Sequence, residues 1–311
     1  MAEFRIEILN TMAKEAPSEL IKKSEDAYHN FIENIAKTIA RDKKIGIILL
    51  AGPSGSGKTT SANLISDAIE KNGRHSFVVS LDDFYRNNDD PDYPKTEAGE
   101  ADFEAPGALD IQELVKTLRA VANGEDFYLP KFDFKKKART KIEKHIPIGG
   151  GVIIIEGLHA LNPEIFTHLP KEKLLKIFIS VSTNITKNGE VILSGRKIRF
   201  IRRLTRDSLY RGTDAESTLS MWKNVLLGED KYLYPNRKYA DVSFDTFHPF
   251  ELGAMRAFAE NLITDDLASK DDYARTVKNA LHEAEPIKEE LIPQNSLIRE
   301  FIPGGIYENL Y

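Results

Sequence analysis

A glycine-rich loop that ends in lysine and threonine carries the clearest chemistry of this sequence. Residues 52–59 read GPSGSGKT and match the phosphate-loop pattern GxxxxGK[ST]. In such a loop the backbone N–H groups turn inward around a polyphosphate, and the N-terminus of the following helix adds positive potential. Lys58 is placed to reach the β- and γ-phosphates, and the Thr59 hydroxyl is placed to bind Mg²⁺. We therefore expect a nucleoside triphosphate to bind Gly52, Pro53, Ser54, Gly55, Ser56, Gly57, Lys58, Thr59 and Thr60.

A pair of aspartates, Asp82 and Asp83, follows the segment 76–81, which has strand character. In open α/β sheets ligands bind beyond the carboxyl ends of the strands, so these side chains are expected to face the phosphate loop. A carboxylate in that place can orient an attacking hydroxyl or take its proton. The competing interpretation is that the aspartates cap the next turn, and we expect this of Asp83 rather than of Asp82.

Glu156 ends the apolar run 152–155, and His159 follows shortly after it. A strand that ends in one carboxylate is typical of the Walker B arrangement, in which the acid meets Mg²⁺ directly or through water. A strand-end glutamate is otherwise often a solvated terminus, but a neighbouring phosphate loop favours the metal interpretation. The expected metal ligands are Thr59, Glu156 and Asp82, whereas His159 is expected to be structural.

Four arginines recur with the spacing of a helix. Arg199, Arg202, Arg203 and Arg206 stand at i, i+3, i+4 and i+7, so on a helix they share one face. Such a face is usually a solvated surface. On the mobile lid of a kinase the same face neutralises charge on the transferring phosphoryl group and excludes water. The spacing leaves open which of the four contact phosphate.

Apolar periodicity predicts the elements that must hold these residues. Strands are expected at 45–51, 76–81, 151–155 and 175–181, and helices at 57–72 and 110–122. This alternation predicts an α/β fold with a parallel sheet covered by helices on both faces. Residues 127–147 interrupt the alternation and look like a short antiparallel hairpin added to the core.

Both ends of the chain are predicted to be helical. Residues 18–42 place their apolar side chains along one stripe, and further helices are expected near 249–263 and 271–285. The predicted organisation is an N-terminal helical arm at 1–44, a core with the hairpin and the basic helix at 45–246, and a C-terminal helical extension at 247–311.

Composition excludes several classes of function. The chain has 311 residues, a net charge of −5 and no cysteine, which rules out disulfides, a thiol nucleophile and cysteine-bound zinc. Its longest apolar runs are too short to span a bilayer, and its first ten residues lack the pattern of a signal peptide. We therefore expect a cytoplasmic protein with no membrane partner.

Nucleic acid is not an expected partner either, because the acidic chain creates no global positive field. The lysine cluster at 131–144 is expected to be a solvated hairpin, and single-stranded RNA binding there is the alternative. Assembly into a homo-oligomer stays open.

In combination and order, the motifs resemble the uridine kinase and phosphoribulokinase family of P-loop kinases. The matching segments are GPSGSGKTT, SLDDFYR, DFEAP at 102–106, FDFKKKAR at 132–139, VIIIEGLHAL, RxxRRxxRDxxxRG at 199–212 and KYADV at 238–242. The resemblance implies a P-loop NTPase fold and a kinase that uses ATP and Mg²⁺. It also implies a hydroxyl of a nucleoside or ribose-like small molecule as the acceptor.

The resemblance assigns roles to individual positions. It implies catalysis by Asp82 and Lys58 with the lid arginines Arg202 and Arg206. The positions implied for acceptor binding are Asp82, Tyr85, Phe103, Glu104, Phe132, Lys137 and Arg199. Among these, Glu104 matches the acid that holds sugar hydroxyls, and Phe103 and Phe132 match aromatic positions beside the acceptor.

Three departures from the family pattern bear on the acceptor. Lys137 replaces a base-reading histidine, Phe132 replaces a tyrosine, and Lys197 replaces an aspartate. A protonated lysine only donates and carries charge, so we expect an anionic ribose-like acceptor rather than plain uridine. The alternatives are a phosphoribulokinase-like or other small-alcohol kinase and, in another class, a nucleotide-gated binding protein without turnover.

Overall fold

The computed structural model describes residues 2–87, 89–96, 99–133, 138–140 and 144–310. The strands are β1 (Glu3–Arg5), β2 (Ile47–Ala51), β3 (Ser76–Ser80), β4 (Phe127–Leu129), β5 (Phe132–Asp133), β6 (Ala138–Arg139), β7 (Lys144–Ile146), β8 (Val152–Glu156), β9 (Leu174–Ser180), β10 (Asn184–Lys187), β11 (Glu190–Leu193) and β12 (Val242–Asp245). The helices are α1 (Ile6–Glu15), α2 (Pro17–Arg41), α3 (Lys58–Lys71), α4 (Ile111–Asn123), α5 (Pro163–Phe166), α6 (Gly195–Tyr210), α7 (Ala215–Gly228), α8 (Glu251–Ala259), α9 (Asp265–Lys270) and α10 (Asp272–Glu283).

A parallel sheet with the strand order β12-β9-β2-β8-β3 forms the centre of the fold. Strand β2, which delivers the phosphate loop, lies between β8 and β9 and is buried along its whole length. Each sequence-predicted strand of the core matches an observed strand to within two residues at either end. The predicted parallel α/β fold is confirmed.

Side chains of β2 alternate between the two faces of the sheet, as the period of a strand requires. Ile48 and Leu50 pack into one apolar cluster with α2, α3, α6 and the C-terminal helices. Ile47 and Leu49 pack into a second cluster with α4 and α5. Helices therefore cover both faces, and the phosphate loop emerges at the edge between them.

The predicted hairpin at 127–147 is a pair of short antiparallel ladders. Strand β4 pairs with β7, and β5 pairs with β6 inside that connection. Phe127 and Ile146 face each other at the base and are buried against the second cluster. The apolar ends of the insertion therefore hold it on the α/β core.

The N-terminal segment contains elements that periodicity did not predict. The short strand β1 pairs in parallel with β10, and β10 pairs with β11 in a separate small sheet. Helix α2 at Pro17–Arg41 matches the predicted helix at 18–42, and α1 precedes it. A three-residue strand paired across such a distance leaves no local pattern for sequence analysis to detect.

The C-terminal segment packs against the core through α8, α9, α10 and a buried turn at Leu297–Glu300. The helix predicted at 249–263 is shorter than expected, since Thr264 caps a separate helix, α9. Among the described residues, no helix is long and apolar enough to cross a membrane. The division of the chain at 44/45 and 246/247 stays a prediction.

Candidate active site

The phosphate loop joins β2 to α3, as its sequence context predicts. Gly57 precedes the helix with a φ of 84°, a conformation that L side chains rarely adopt. At Gly52 a Cβ atom would lie 2.4 Å from the carbonyl oxygen of Ile179, so only glycine fits there. The loop is thereby held in the conformation that brings its N–H groups and the start of α3 to one place.

Lys58 and Thr59 lie at the first turn of α3. The Lys58 ammonium donates a hydrogen bond to the carbonyl oxygen of Pro53, at 3.1 Å, and so lies along the loop. The Thr59 hydroxyl donates to Oε1 of Glu156 at 3.5 Å. These contacts bring the two motif residues and the predicted Walker B glutamate together.

Asp82 lies in the turn after β3, and Glu156 ends the neighbouring parallel strand β8, where it is aligned with Ser80 of β3. Burial, and then the nearby Asp82 charge, raise the pKa of Glu156 to about 7, against the lowering effect of Lys58. Protein atoms close to the Asp82 carboxyl group raise its pKa as well, although the residue as a whole is exposed to solvent. The two acids therefore form an electrostatically coupled pair beside Lys58.

Asp83 faces a different neighbour from Asp82. The backbone N–H of Phe132 donates to the Asp83 carboxylate, which lowers a pKa that burial raises. Lys58, Arg211 and Arg206 lower the pKa of Asp82, whereas Lys131 acts on Asp83. The structure thus turns Asp83 toward the hairpin and leaves Asp82 beside the phosphate loop.

Glu104 lies across the cleft from the phosphate loop. Burial raises its pKa to about 7, Arg203 and Lys58 lower that pKa, and Asp82 raises it. Its side chain packs against Gly228, where an added Cβ would lie 2.5 Å from Cβ of Glu104. Glu104 therefore belongs to the same electrostatic cluster as the predicted catalytic residues.

His159 lies beside Glu104 and makes one hydrogen bond through its ring, and its expected structural role stays a prediction. Nε2 lies 2.9 Å from the Glu104 carbonyl oxygen, which can only accept, so Nε2 carries the proton. Nδ1 is buried and has no hydrogen-bond partner among the described residues. Burial lowers the pKa of His159 to about 4, so near neutral pH the ring offers one bare acceptor nitrogen.

The aromatic positions predicted to flank the acceptor surround the same cleft. The Tyr85 hydroxyl donates to the carbonyl oxygen of Phe103 at 3.1 Å, and the rings of Tyr85 and Phe132 are 5.7 Å apart. Phe132 is buried, whereas Phe103 is 41% exposed. Lys137, on which the expectation of an anionic acceptor depends, lies outside the described residues.

The arginine face of α6 is largely buried. Arg199 and Arg202 have no exposed surface and form ion pairs with Glu229 and Glu251, which are equally buried. Arg199 also donates to the carbonyl oxygen of Ser54 at 2.8 Å. The direct contacts with acceptor and phosphate predicted for Arg199 and Arg202 stay predictions, since in the structure both hold the phosphate loop in place.

Three other arginines of this region surround Asp207. Arg203, Arg206 and Arg211 all approach its carboxylate within 3.4 Å. Arg203 also donates to the Ser54 hydroxyl at 3.1 Å. Arg206 was predicted to act in catalysis, and its charge, like that of Arg211, reaches Asp82.

Sequence reasoning missed several of these residues. Arg211 belongs to the last dipeptide of the arginine motif at 199–212. Nothing in the local pattern identified the carboxylate partners Glu229 and Glu251. Those partners are 30 and 49 residues from the arginines they bind. Only the packing of α6 against the following segments shows the pairing.

The site offers ligands for one magnesium ion rather than a preformed protein cage. No three histidine, aspartate or glutamate side chains within the described ranges gather in a metal-binding cluster. Magnesium usually takes one or two carboxylates together with water and substrate phosphates. Glu156, Asp82 and the Thr59 hydroxyl fit that chemistry, because a cation would neutralise two acids whose pKa values burial raises, that of Glu156 further by the Asp82 charge.

Comparisons with known proteins identify the family of the chain. The model of the phosphoribulokinase and uridine kinase family matches residues 47–250. A uridine kinase of Lactobacillus johnsonii is 31% identical over 204 residues, which cover 65% of this chain and 87% of that protein. A uridine kinase of Staphylococcus aureus is 30% identical over 201 residues, or 64% and 87% of the two chains. A solved structure described as a "Possible Uridine Kinase" from Bacillus stearothermophilus has 20% identity and a TM-score of 0.47, covering 70% of this chain and 100% of its own.

Proposed function

The chain belongs to the phosphoribulokinase and uridine kinase family, and from this premise we propose a specific reaction. The protein transfers the γ-phosphoryl group of ATP to a hydroxyl of a nucleoside or ribose-like small molecule. The observation that carries the proposal is the proximity of Lys58 and Asp82 to two buried glutamates: Lys58 lowers the pKa of Asp82, Glu104 and Glu156, and Asp82 raises that of both glutamates. Family membership supports a P-loop kinase with a small substrate, and the finer assignment rests on this cleft.

On the donor side, the loop and the start of α3 bind the polyphosphate. Phosphoryl transfer needs little covalent help from the protein, so positioning and charge neutralisation supply most of the catalysis. Lys58 provides the cation inside the loop, and Arg206 and Arg211 extend positive potential toward Asp82. Thr59 and Glu156 would hold Mg²⁺, which would neutralise charge on the phosphates.

On the acceptor side, Asp82 orients the attacking hydroxyl and takes its proton. The raised pKa of Asp82 makes its carboxylate a stronger base than an ordinary aspartate. Glu104, when ionised, accepts further hydroxyl hydrogens of the acceptor. A substrate with several neighbouring hydroxyls fits this set of hydrogen-bond acceptors.

The test is ADP release measured with a panel of nucleosides, sugar phosphates and other small alcohols. We expect turnover with a ribose-like acceptor and a loss of several orders of magnitude in Lys58→Ala, because the variant lacks the cation of the loop. Lys71→Ala, at the exposed far end of α3, is the matched control and should retain activity. ATP binding without ADP release from any acceptor would instead support a nucleotide-gated binding protein.

A further inference from the structure

A carboxylate from the C-terminal segment lies on the first turn of the phosphate-loop helix. Oε2 of Glu300 accepts a hydrogen bond from the Thr60 hydroxyl at 2.9 Å and from the Thr60 N–H at 3.3 Å. Glu300 is only 3% exposed, and its Oε1 lies 3.5 Å from a guanidinium nitrogen of Arg206. An anionic side chain therefore occupies donors at the N-terminal end of α3.

Those donors belong to the nucleotide site that the proposed function requires. Thr60 is the third residue of α3, and the N–H groups of a phosphate loop cradle the α- and β-phosphates. The N-terminus of a helix attracts one anion or another through the same N–H groups and dipole. Glu300 and the phosphate next to the nucleoside thus compete for the same place, and two like charges there repel each other.

The residues around Glu300 hold its segment against the loop. Leu297 packs so closely on Gly57 that an added Cβ there would meet its side chain at 2.6 Å. The guanidinium of Arg202 lies 5.1 Å from the centre of the Phe301 ring, and Leu297 and Phe301 are fully buried. The packing of Leu297 and Phe301 therefore holds Glu300 in its position.

We propose that Glu300 sets the affinity for the donor nucleotide by occupying the first-turn anion position of α3 until a nucleotide phosphate displaces it. Residue 300 lies outside residues 47–250, over which the family model matches, so family membership does not assign it this role. The inference rests on the proposed function, because it takes ATP as the ligand of the loop. It makes the C-terminal extension a part of the nucleotide site.

Calorimetric titration of ATP and of pyrophosphate into wild type, Glu300→Gln and Glu290→Gln tests this role. The glutamine keeps an acceptor for Thr60 and removes the negative charge, so ATP should bind about tenfold more tightly or better. Pyrophosphate can occupy the same donors without a nucleoside, so its affinity should rise as well. Glu290 is exposed in the same segment, so the Glu290→Gln variant should bind both ligands as tightly as wild type. Equal or weaker ATP binding by Glu300→Gln overturns the inference.

A second measurement uses the wild-type chain and does not depend on the folding of a variant. If ATP displaces Glu300, hydrogen exchange of the amides at 297–302 should increase when ATP is added. Unchanged or slower exchange there, at saturating ATP, overturns the inference. Failure of the proposed function looks different, because ADP release would then be absent with every acceptor, whether or not Glu300→Gln changes the affinity for ATP.

Discussion

Arg199 and Glu229 form a fully buried, two-point ion pair whose members both hold Ser54 of the phosphate loop. The guanidinium donates to both carboxylate oxygens at 2.8 Å and to the Ser54 carbonyl oxygen at 2.8 Å. Oε1 of Glu229 in turn accepts from the Ser54 N–H at 2.9 Å. The pair thus satisfies both backbone polar groups of one loop residue and connects the loop to α6.

Removal of one charge from this pair should destabilise the protein strongly. Glu229→Gln leaves the Arg199 charge buried without its counter-ion, at a cost of about 3–5 kcal/mol. We expect a matching fall in the free energy of unfolding, measured by urea denaturation, and a higher KM for ATP. Glu216→Gln, at an exposed position of α7, should change stability by less than about 0.5 kcal/mol. Similar values for the two variants would show that the pair is not needed to hold the loop.

Asp82 and Asp83 should differ in their effect on catalysis. Asp82→Asn keeps the shape of the side chain but removes the base beside Lys58, so kcat should fall about 100-fold or more while ATP still binds. Asp83→Asn should have a milder effect, because its carboxylate faces the backbone N–H of Phe132. Steady-state kinetics with the acceptor found by the panel give both values. If Asp83→Asn proved the more damaging, the catalytic aspartate would be misassigned by one residue.

The raised pKa of Glu104 should make stability depend on pH in a definite direction. The folded protein holds the proton up to about pH 7, whereas the unfolded chain releases it near the ordinary value of 4.5. The contribution of Glu104 to stability is therefore fully present below about 4.5 and lost as the pH rises through about 7. Relative to Glu104→Gln, the wild-type free energy of unfolding should fall by about 3 kcal/mol across this interval.

Urea denaturation at a series of pH values measures this difference. Glu216→Gln should follow the wild-type curve at every pH, because its side chain is exposed. Parallel curves for wild type and Glu104→Gln would contradict the raised pKa.

Gly228 should prove necessary for the position of Glu104. A methyl group at residue 228 would lie 2.5 Å from Cβ of Glu104, which cannot rotate away, so Gly228→Ala must shift the backbone at one of the two positions. We expect a larger rise in the KM for the acceptor than in the dissociation constant for ATP, since the added methyl group meets Glu104 whereas the phosphate loop is contacted by the next residue, Glu229. In Gly107→Ala, a Cβ would meet nothing closer than 3.9 Å, so this variant is the matched control. An unaltered acceptor KM in Gly228→Ala would separate Glu104 from acceptor binding.

Local patterns in the sequence were sufficient for the sheet and for the acids at its edge. Strand period and helix period predicted the parallel α/β core, because each follows from the backbone geometry of a few neighbouring residues. Strand ends in a parallel sheet meet at one edge, so Asp82 and Glu156 could be placed beside the phosphate loop before the structure was known. In the structure Glu156 is aligned with Ser80, two residues before Asp82.

The surroundings of the arginines and of the loop were decided by tertiary structure alone. Helical spacing put Arg199 and Arg202 on one face, but a spacing carries no information about whether that face meets water, phosphate or buried carboxylates. Glu229 and Glu251 come from later elements, and Glu300 reaches Thr60 across 240 residues of chain. The sequence by itself determined which residues could bind a nucleotide, and only the folded chain determined which charges neutralise one another, because charge pairing depends on distance in space and on exclusion of water.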